Sequence, residues 1–416
     1  MGQDRKIAGV SKTVFTLGIV SFLTDVSSEM LVPIVPQFLR FAIGASTPVI
    51  GLIEGIAEST ASLLRVWAGY LADKFGRPKL LTVIGYGLSA VSKPFYIAAG
   101  SWSHVLAIRF ADRFGKGIRS APRDVLIADT TPESERGRAF GLHRAMDTAG
   151  ATLGPLIVAL LVMFLFGRRF LVEPGEEHRA VYHTIFIAAA VPAVLGWLVL
   201  TIFVKERKRE QSTARPEIKL QALDHRFRVF LAIVTLFSIG NSSDAFLVLR
   251  ATSAPIKMGL VMFLWVYVVF NALSALVALR SGVISDRIGR KPMIVAGWLV
   301  FAVVYFAMAR ITTQAGVWVW FIVYGVYYGL TEGMLRAYAV DLAPAHLRGT
   351  AVGAYFTFTG VALLPASLIA GFLWSRFGPP SPFYYGAATS IVAAVLLAVL
   401  VKPGPTTRAE AETEQV

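Results

Sequence analysis

The chain has 416 residues, of which 55% are hydrophobic and 16% are charged, and its mean hydropathy is +0.62. Soluble domains have about 25% charged residues, so this composition excludes a typical soluble protein. A formal charge of +14 would suggest nucleic acid as a partner of a soluble protein. Here Lys and Arg are gathered between apolar runs, where they set membrane topology, so no nucleic-acid partner is expected. The sequence has no Cys and no metal-binding spacing of its six His, so no metal site is predicted.

Apolar runs of about 20 residues, the length that crosses a bilayer, recur along the whole chain. They predict an all-α polytopic membrane protein with twelve transmembrane helices. An even number of spans places both termini on the same side of the bilayer. The predicted spans are 13–37, 47–71, 80–100, 103–127, 140–166, 181–204, 228–250, 258–280, 292–311, 315–338, 350–374 and 381–401.

The loops between the spans indicate their orientation. The stretch 205–228 carries eight Lys/Arg and four Asp/Glu, and the short loops DKFGRPK and DRIGRK are also basic. On the opposite face, FGRRFLVEPGEEHR balances three Arg against three Glu. Because cytoplasmic loops are enriched in Lys and Arg, we expect both termini in the cytoplasm. The predicted location is therefore the cytoplasmic (inner) membrane.

The two halves of the chain repeat each other. GYLADKFGRPK, which begins at Gly69, returns as GVISDRIGRKP at Gly282, and ADTTPESERGRAFG returns 212 positions later as VDLAPAHLRGTAVG. Each half has six spans, so both halves enter the membrane from the same side and the repeat is parallel. This is a transporter architecture. We expect six-helix bundles at 1–204 and 228–402, a cytoplasmic basic linker at 205–227 and a disordered cytoplasmic tail at 403–416.

The repeated loop carries a resemblance to a known family. GYLADKFGRPKLL resembles the signature of the major facilitator superfamily, G-x-L-a-D-r-x-G-r-k between spans 2 and 3, and the copy between spans 8 and 9 matches as well. With the twelve-span plan, the resemblance covers nearly the whole chain and implies the major facilitator fold. It also implies a conformational latch that stabilises the outward-facing state, with Arg77 and Lys79 able to pair with carboxylates across the seam between the halves. The latch residues are Gly69, Asp73, Gly76, Arg77, Asp286, Gly289 and Arg290.

The fifth span resembles a motif of the family's exporters. GLHRAMDTAGATLGPLIVA resembles G-x8-G-x3-G-P-x2-G-G, with Val158 and Ala159 in place of the final Gly pair. Glycines at these spacings let helices pack closely, and a proline bends the span. The resemblance favours export, and ordinary packing of membrane helices is the alternative interpretation. The matching residues are Gly141, Gly150, Gly154 and Pro155.

The fourth span is unusually charged and reads RFADRFGKGIRSAPRD. A helix rises about 1.5 Å per residue, which places Arg113 and Lys116 near the midplane. A cation there costs roughly 2.5–3.5 kcal/mol, so we expect these side chains to face the bundle interior. RFGKGIRSA resembles the family's span-4 motif R-x-x-q-G-x-g-a-a, which implicates Arg113 in proton transfer. Lys116 and Arg119 depart from that motif and indicate an anionic ligand or additional carboxylates.

Carboxylates are available in the first two spans. Asp25 and Glu29 are four residues apart, as are Glu54 and Glu58, so each pair shares a helix face. Burial favours a neutral carboxyl group and a nearby cation favours the charged form. A carboxyl balanced between these effects can load and release protons. We expect at least one of these four acids to couple to protons, and the alternative is that they only pair with the span-4 cations to hold the helices together.

The second half has fewer intramembrane charges, so we expect the N-half to carry proton coupling and the C-half to shape the substrate pocket. The resemblance is to the drug:proton antiporter-like exporters, and it implies proton-coupled export of small organic molecules by a monomer without a cofactor. The candidate substrate-binding residues are Lys116, Arg119, Arg123, Asn241, Asp244, Tyr267, Asn271, Tyr324, Tyr328, Glu332 and Tyr355.

Three other functions fit the sequence less well. An anionic metabolite or metal chelate, imported or exported, would use the span-4 cations as ligand contacts. A receptor without transport activity would have no need for buried charge in three spans. RFGKGIR lacks the GxxxxGK[ST] pattern and a preceding strand, so enzymatic activity is not predicted.

Overall fold

The computed structural model describes residues 6–7, 9–167, 179–205, 223–344 and 347–401. Most of the expected linker and the whole expected tail, 403–416, lie outside these residues. A two-residue hairpin, β1 (Lys6–Ile7) with β2 (Val10–Ser11), precedes the helices. The first-half helices are α1 (Lys12–Leu31), α2 (Val35–Gln37), α3 (Thr47–Phe75), α4 (Pro78–Ser92), α5 (Trp102–Asp129), α6 (Arg136–Phe166) and α7 (Arg179–Phe203).

The second half repeats this plan. Its helices are α8 (His225–Gly240), α9 (Ala245–Thr252), α10 (Leu260–Ile288), α11 (Arg290–Arg310), α12 (Gln314–Asp341), α13 (Arg348–Phe377) and α14 (Ser381–Leu400). A π-helical turn at Phe38–Ala42 continues α2, and a 3-10 helix at Lys93–Ala98 continues α4. The first span of each half is therefore broken, between α1 and α2 and between α8 and α9. Counting each broken span once gives twelve membrane-length units.

Apolarity alone would find fewer spans than this. Within the described residues, nine helical units are both long enough and apolar enough to cross a membrane. The remaining three, α3, α5 and α12, have 29, 28 and 28 residues, which is ample length. Their sequences hold the predicted charges of spans 2, 4 and 10. These three helices carry Glu54, Glu58, the cations of the fourth span, Tyr324, Tyr328 and Glu332, which are among the candidate functional residues.

Among the described residues, the main contacts between the two halves are α3 with α13 and α6 with α10, and α9 adds smaller contacts to α2 and α3. At the end of the bundle distant from the chain termini, α3 and α13 are in backbone contact, because a Cβ built on Gly51 would lie 2.3 Å from the Ser367 carbonyl oxygen. Nearer the termini, a Cβ on Gly353 would lie 3.8 Å from the Val66 side chain. The bundle is therefore closed at the distal end and looser at the end that bears the termini.

Candidate functional site

Helix α5 neutralises the two acids of α3. The Arg109 guanidinium forms a two-pronged ion pair with Glu54, and both side chains are buried. Arg113 pairs with Glu58 at 3.1 Å, and this carboxylate is about one-third exposed. Gly117 makes this close approach of α5 to α3 possible, because a Cβ there would lie 3.1 Å from the Ala61 carbonyl oxygen. Glu54 and Glu58 are therefore held in ion pairs within the N-half.

Arg119 and Arg123 are engaged in helix packing. Arg119 donates a 2.6 Å hydrogen bond to Ser89 Oγ, and its guanidinium lies 4.4 Å from the centre of the Tyr86 ring. Arg123 donates to Ser21 Oγ at 3.0 Å and pairs with the neighbouring carboxylate of α5. Both guanidinium groups thus have fixed partners in the N-half.

Lys116 differs from every other cation of α5 named above. Its side chain is half-buried and forms no hydrogen bond or ion pair with any residue that the structure describes. Its electrostatic neighbours are Arg113, Glu58, Asp25 and Glu29. Lys116 therefore has a free ammonium group at the point where spans 1, 2 and 4 meet.

The two acids of α1 are also without a cation in contact. Asp25 forms no ion pair or hydrogen bond within the described part of the chain, and the side chain with the largest electrostatic effect on it is another acid, Asp147. Glu29 accepts a 3.3 Å hydrogen bond from Tyr267 Oη of α10, across the seam between the halves. The four predicted coupling acids thus divide into two that are ion-paired and two that are not.

Two glycines of the exporter-like motif place α1 against α6. A Cβ on Gly150 would lie 3.1 Å from the Asp25 Cβ, and a Cβ on Gly154 would lie 3.1 Å from the Glu29 Cβ. Pro155 lies inside α6, and Gly141 has open space around it. The motif's second and third glycines therefore let the backbone that carries both unpaired acids approach α6.

A buried lysine was not among the predicted site residues. The Lys93 side chain is 1% exposed and donates hydrogen bonds to Ser27 Oγ and Ser28 Oγ of α1. Its strongest electrostatic neighbour is Asp112 of α5. The signal in the sequence was a lone lysine within an otherwise apolar predicted span, 80–100.

A second missed group lies on α6. His143 Nδ1 is 3.5 Å from an Asp147 carboxylate oxygen, and both side chains are largely buried. The other ring nitrogen of His143 and the other oxygen of Asp147 have no hydrogen-bond partner among the described residues. Asp147 is also the side chain with the largest electrostatic effect on Asp25 of α1. The charge on this pair therefore affects Asp25.

The C-half presents an acid surrounded by tyrosines. Asp244, at the start of α9, accepts hydrogen bonds from Tyr324 Oη at 2.8 Å and Tyr328 Oη at 3.1 Å. Phe270 packs on both tyrosine rings, with ring centres 5.4 Å apart in each case. Asn241 donates to the neighbouring Tyr327 Oη at 3.3 Å. Within the described residues, no cation forms an ion pair with Asp244.

The other predicted substrate residues lie outside this tyrosine cluster. Asn271 donates to the Tyr267 carbonyl one turn earlier in α10, and the Tyr355 ring packs on Phe356. Glu332 pairs at 2.9 Å with Arg144 of α6, and both side chains are more than half exposed. This bridge joins the halves on the looser side of the bundle.

The latch residues make contacts within their own halves in this conformation. Gly76 ends α3 at a φ of 61°, and Gly289 lies between α10 and α11 at a φ of 86°, where L side chains are strained. Arg290 pairs with Asp341 and donates to the Ala337 carbonyl, both on α12.

The remaining latch residues make fewer described contacts. Lys79 donates at 3.1 Å to the Thr201 carbonyl of α7, which belongs to the same half. A Cβ on Gly69 would lie 3.7 Å from Ala121, Arg77 precedes α4, and Asp286 is exposed. The side chain of Asp73 lies outside the described part of the structure.

Two cavities are lined by residues other than Lys116, the acids of α1 and Asp244. An apolar groove of about 430 Å³ runs between α4 and α5, and a polar pocket of about 270 Å³ lies at the distal ends of spans 1 and 7. The described residues contain no cluster of His, Asp and Glu able to hold a metal ion.

Comparison with known proteins places this architecture in a family. The model of the Major Facilitator Superfamily matches residues 17–366 and 265–415. An uncharacterized MFS-type transporter of Methanocaldococcus jannaschii is 34% identical over 404 residues, which are 95% of this chain and 96% of that protein. The quinolone resistance protein NorA of Staphylococcus aureus is 24% identical over 55% of each chain.

Solved structures share the fold at low sequence identity. A POT family transporter in complex with 5-aminolevulinic acid has a TM-score of 0.79 at 13% identity and covers 96% of this chain and 98% of its own. The nucleoside transporter NupG has a TM-score of 0.73 at 13% identity, with 94% and 100% covered. These structures show the fold, whereas the family model and the 34% identical relative show that the protein is a multi-pass secondary transporter and not an enzyme. It belongs to the major facilitator superfamily, which confirms the predicted twelve-helix fold.

Proposed function

We propose that this transporter exports small organic molecules in exchange for protons. The observation that carries the proposal is the division of the N-half acids. Glu54 and Glu58 are ion-paired, whereas Asp25 and Glu29 form no ion pair with any cation among the described residues. An acid with a fixed cation partner is held in its charged form, so the two unpaired acids are the better proton carriers.

The proposed mechanism couples these acids to movement of the two halves. Glu29 contacts Tyr267 across the seam, so the geometry of this carboxyl group changes when the halves separate. Lys116 is an electrostatic neighbour of both Asp25 and Glu29, and a proton on either acid changes the balance of charge around it. A ligand shifts a conformational equilibrium only by its differential affinity for the two states. Protons and substrate would thus favour different conformations.

Two observations support export from the cytoplasm. Gly150 and Gly154 of the exporter-like motif are in close contact with α1, next to the unpaired acids. In the orientation predicted from the basic loops, the looser end of the bundle faces the cytoplasm and both termini lie there. The proposed partners are therefore a small-molecule substrate, protons and the lipid bilayer, with the protein acting as a monomer in the cytoplasmic membrane.

The alternative, transport of an anionic metabolite or metal chelate, rests on fewer side chains than the sequence indicated. Arg119 and Arg123 have fixed partners in the N-half, which leaves Lys116 as the free cation of α5 within the described residues. Replacing Arg119 with Gly, the usual residue of the family motif, tests this alternative. Lost binding of an anion with intact proton coupling would favour it.

Transport by purified protein in liposomes tests the proposal. The liposomes contain a pH-sensitive dye, and an aryl carboxylate that carries a piperazine ring serves as the transported probe. We expect its movement to be driven by an imposed pH gradient and to move protons in the opposite direction. Asp25→Asn with Glu29→Gln should abolish the coupled proton movement, while the exposed control Lys74→Gln should transport like the wild type. Transport that ignores both the gradient and the double substitution would refute proton coupling.

A further inference from the structure

We propose that the substrate is a zwitterionic organic molecule with an aromatic or apolar body. Its anionic group binds Lys116 in the N-half, and its cationic amine binds Asp244 in the C-half. The inference rests on the proposed transport function and names the chemical class of the substrate.

Lys116 presents a free ammonium group within the described residues. Arg109 and Arg113 of the same helix are ion-paired to α3, and Arg119 and Arg123 are hydrogen-bonded to serine hydroxyls. Lys116 alone among these five has no hydrogen-bond or ion-pair partner in the described part of the chain. An ammonium group has three N–H donors, so all three are available to an anionic ligand group.

The Asp244 carboxylate in the C-half has no cation partner among the described residues. It accepts hydrogen bonds from two tyrosine hydroxyls, one on each oxygen. A carboxylate can accept about four hydrogen bonds, so both oxygens keep capacity for another donor. Burying a charge is costly unless the charge is paired, and no described cation pairs with Asp244. A ligand amine would supply the missing positive charge.

The surroundings of Asp244 favour an amine over other donors. The rings of Tyr324, Tyr328 and Phe270 pack against one another directly beside the carboxylate. Aromatic faces attract cations within about 6 Å of the ring centre. The same rings offer an apolar wall for the body of the ligand, as is usual for small-molecule sites.

The internal repeat relates the surroundings of these two groups, which we call the N-half wall and the C-half wall of the proposed site. At the offset of 212 found in the sequence, Lys116 corresponds to Tyr328, and at the offset of 215 Glu29 corresponds to Asp244. Asp244 accepts from Tyr328, and Lys116 is the strongest favourable electrostatic neighbour of Glu29. Each half therefore places an acid, Glu29 or Asp244, near the same repeat position. That position holds the cation Lys116 in the N-half and Tyr328 in the C-half.

Tyr267 connects the two walls. Its hydroxyl contacts Glu29, and Asp244 is among its electrostatic neighbours. A molecule that spans the seam beside Tyr267 meets a free cation on one side and an acid without a cation on the other. An organic anion alone would leave Asp244 uncompensated, and an organic cation alone would leave Lys116 without a partner.

Binding of a matched series of probes to the full-length protein tests the inference. The series is an aryl carboxylate that carries a piperazine ring, its methyl ester and its N-acetyl derivative. The parent compound is zwitterionic, the ester keeps only the cation, and the N-acetyl derivative keeps only the anion. Binding stabilises the folded state, so thermal unfolding of detergent-solubilised protein ranks the three affinities. We expect the zwitterion to bind about tenfold or more tightly than either derivative, since hydrogen bonds between charged groups are strong.

Substitutions assign each charged group to its partner. Lys116→Met should remove the advantage of the zwitterion over its ester, and Asp244→Asn should remove its advantage over the N-acetyl derivative. Lys116→Arg should restore the preference, which separates lost charge from lost folding. The exposed controls Lys74→Met and Glu133→Gln should change neither ratio.

Three outcomes would overturn the inference: no stabilisation by the zwitterion, an N-acetyl derivative that binds as tightly as the zwitterion, or preferences unchanged by the two substitutions. The assay uses no proton gradient, so its result is independent of whether transport is proton-coupled. A zwitterion preference with proton-independent transport would refute the proposed coupling and leave the substrate class in place.

Discussion

At the scale of single residues, four acids that look alike in the sequence have different surroundings. Glu54 is buried with Arg109, whereas Glu29 is half-buried and accepts a hydrogen bond from a tyrosine hydroxyl across the seam. The buried ion pair holds α3 and α5 together, and the unpaired acid is available for protons. Structural pairing and proton coupling, which the sequence left as alternatives, are thus proposed for different acids.

Substitution of each acid by its amide should separate these roles. Glu54→Gln leaves the Arg109 charge buried and uncompensated, which typically costs about 3–5 kcal/mol. We expect a large fall in the thermal unfolding midpoint of the purified protein. Glu29→Gln removes no ion pair, so its midpoint should stay close to that of the wild type while coupled proton movement is lost. A Glu54→Gln protein as stable as wild type would contradict the structural role.

The sequence of α5 shows which residues are charged, but it did not predict the contact partner of each side chain. Spacing by three and four placed the cations broadly on one side of a helix, and Arg109 and Arg113 do meet the acids of α3. Arg119 instead reaches Ser89 and Tyr86. Helical periodicity gives an approximate direction, whereas the partner depends on which helix crosses nearby. Lys93 was missed because one lysine in an apolar run forms no pattern.

At the scale of helices, the exporter-like motif has a specific packing role. A Cβ on Gly150 would lie 2.5 Å from the Phe22 carbonyl oxygen, and one on Gly154 would lie 2.5 Å from the Val26 carbonyl oxygen. These are backbone atoms of α1, so the helix itself would have to move. Gly141, the first glycine of the motif, has nothing within 4 Å of its Cβ position.

The three glycines therefore allow a matched comparison. Gly150→Ala and Gly154→Ala should each force α1 away from α6, with a destabilisation of about 1–3 kcal/mol typical of overpacking. We also expect impaired proton movement, because α1 carries Asp25 and Glu29. Gly141→Ala should be neutral or slightly stabilising, since alanine is the better helix former by about 1 kcal/mol. Thermal unfolding and liposome transport measure both effects, and equal behaviour of all three variants would contradict the packing role.

A second prediction at this scale concerns the end of α11. Arg250 of α9 is buried and donates hydrogen bonds to the carbonyls of Met308, Ala309 and Ile311. The last carbonyls of a helix have no partner within the helix. Arg250→Met should leave them unsatisfied and lower stability by about 1–3 kcal/mol. The control is Arg310→Met, whose exposed side chain contacts only the Phe306 ring among described residues, and equal losses would refute the capping role.

At the scale of the whole molecule, repeat and topology predicted the fold where hydropathy alone would not. Three spans fall short of the usual apolar composition. The acids of α3 pair with arginines of α5 inside the N-half, and Glu332 of α12 pairs with Arg144 at the looser end of the bundle. The offset of 212 aligns α3 with the apolar α10 and aligns α5 with α12, so the repeat identifies all three as spans. The conformation could not be predicted in the same way, because two arrangements of the halves bury the same helices. Which end is closed depends on contacts between halves, such as Gly51 against Ser367.

Thiol labelling can test this conformation and its orientation in the membrane. The natural chain has no Cys, so a single introduced thiol is the only reactive site for an impermeant reagent. Ser367 is 2% exposed at the closed end, and Glu332 is exposed at the looser end. We expect Glu332→Cys to react from the cytoplasmic side only, together with the loop control Glu133→Cys, whereas Thr312→Cys should react from outside.

Ser367→Cys then reports movement of the halves. It should be protected from both sides in the described conformation and become reactive from outside when substrate and a proton gradient drive the transport cycle. The Asp25→Asn, Glu29→Gln background should abolish this change without altering the three accessible controls. Labelling of Ser367→Cys that is constant in all conditions would mean that the contact between α3 and α13 does not open. Reaction of Glu332→Cys from the outside would instead reverse the predicted topology.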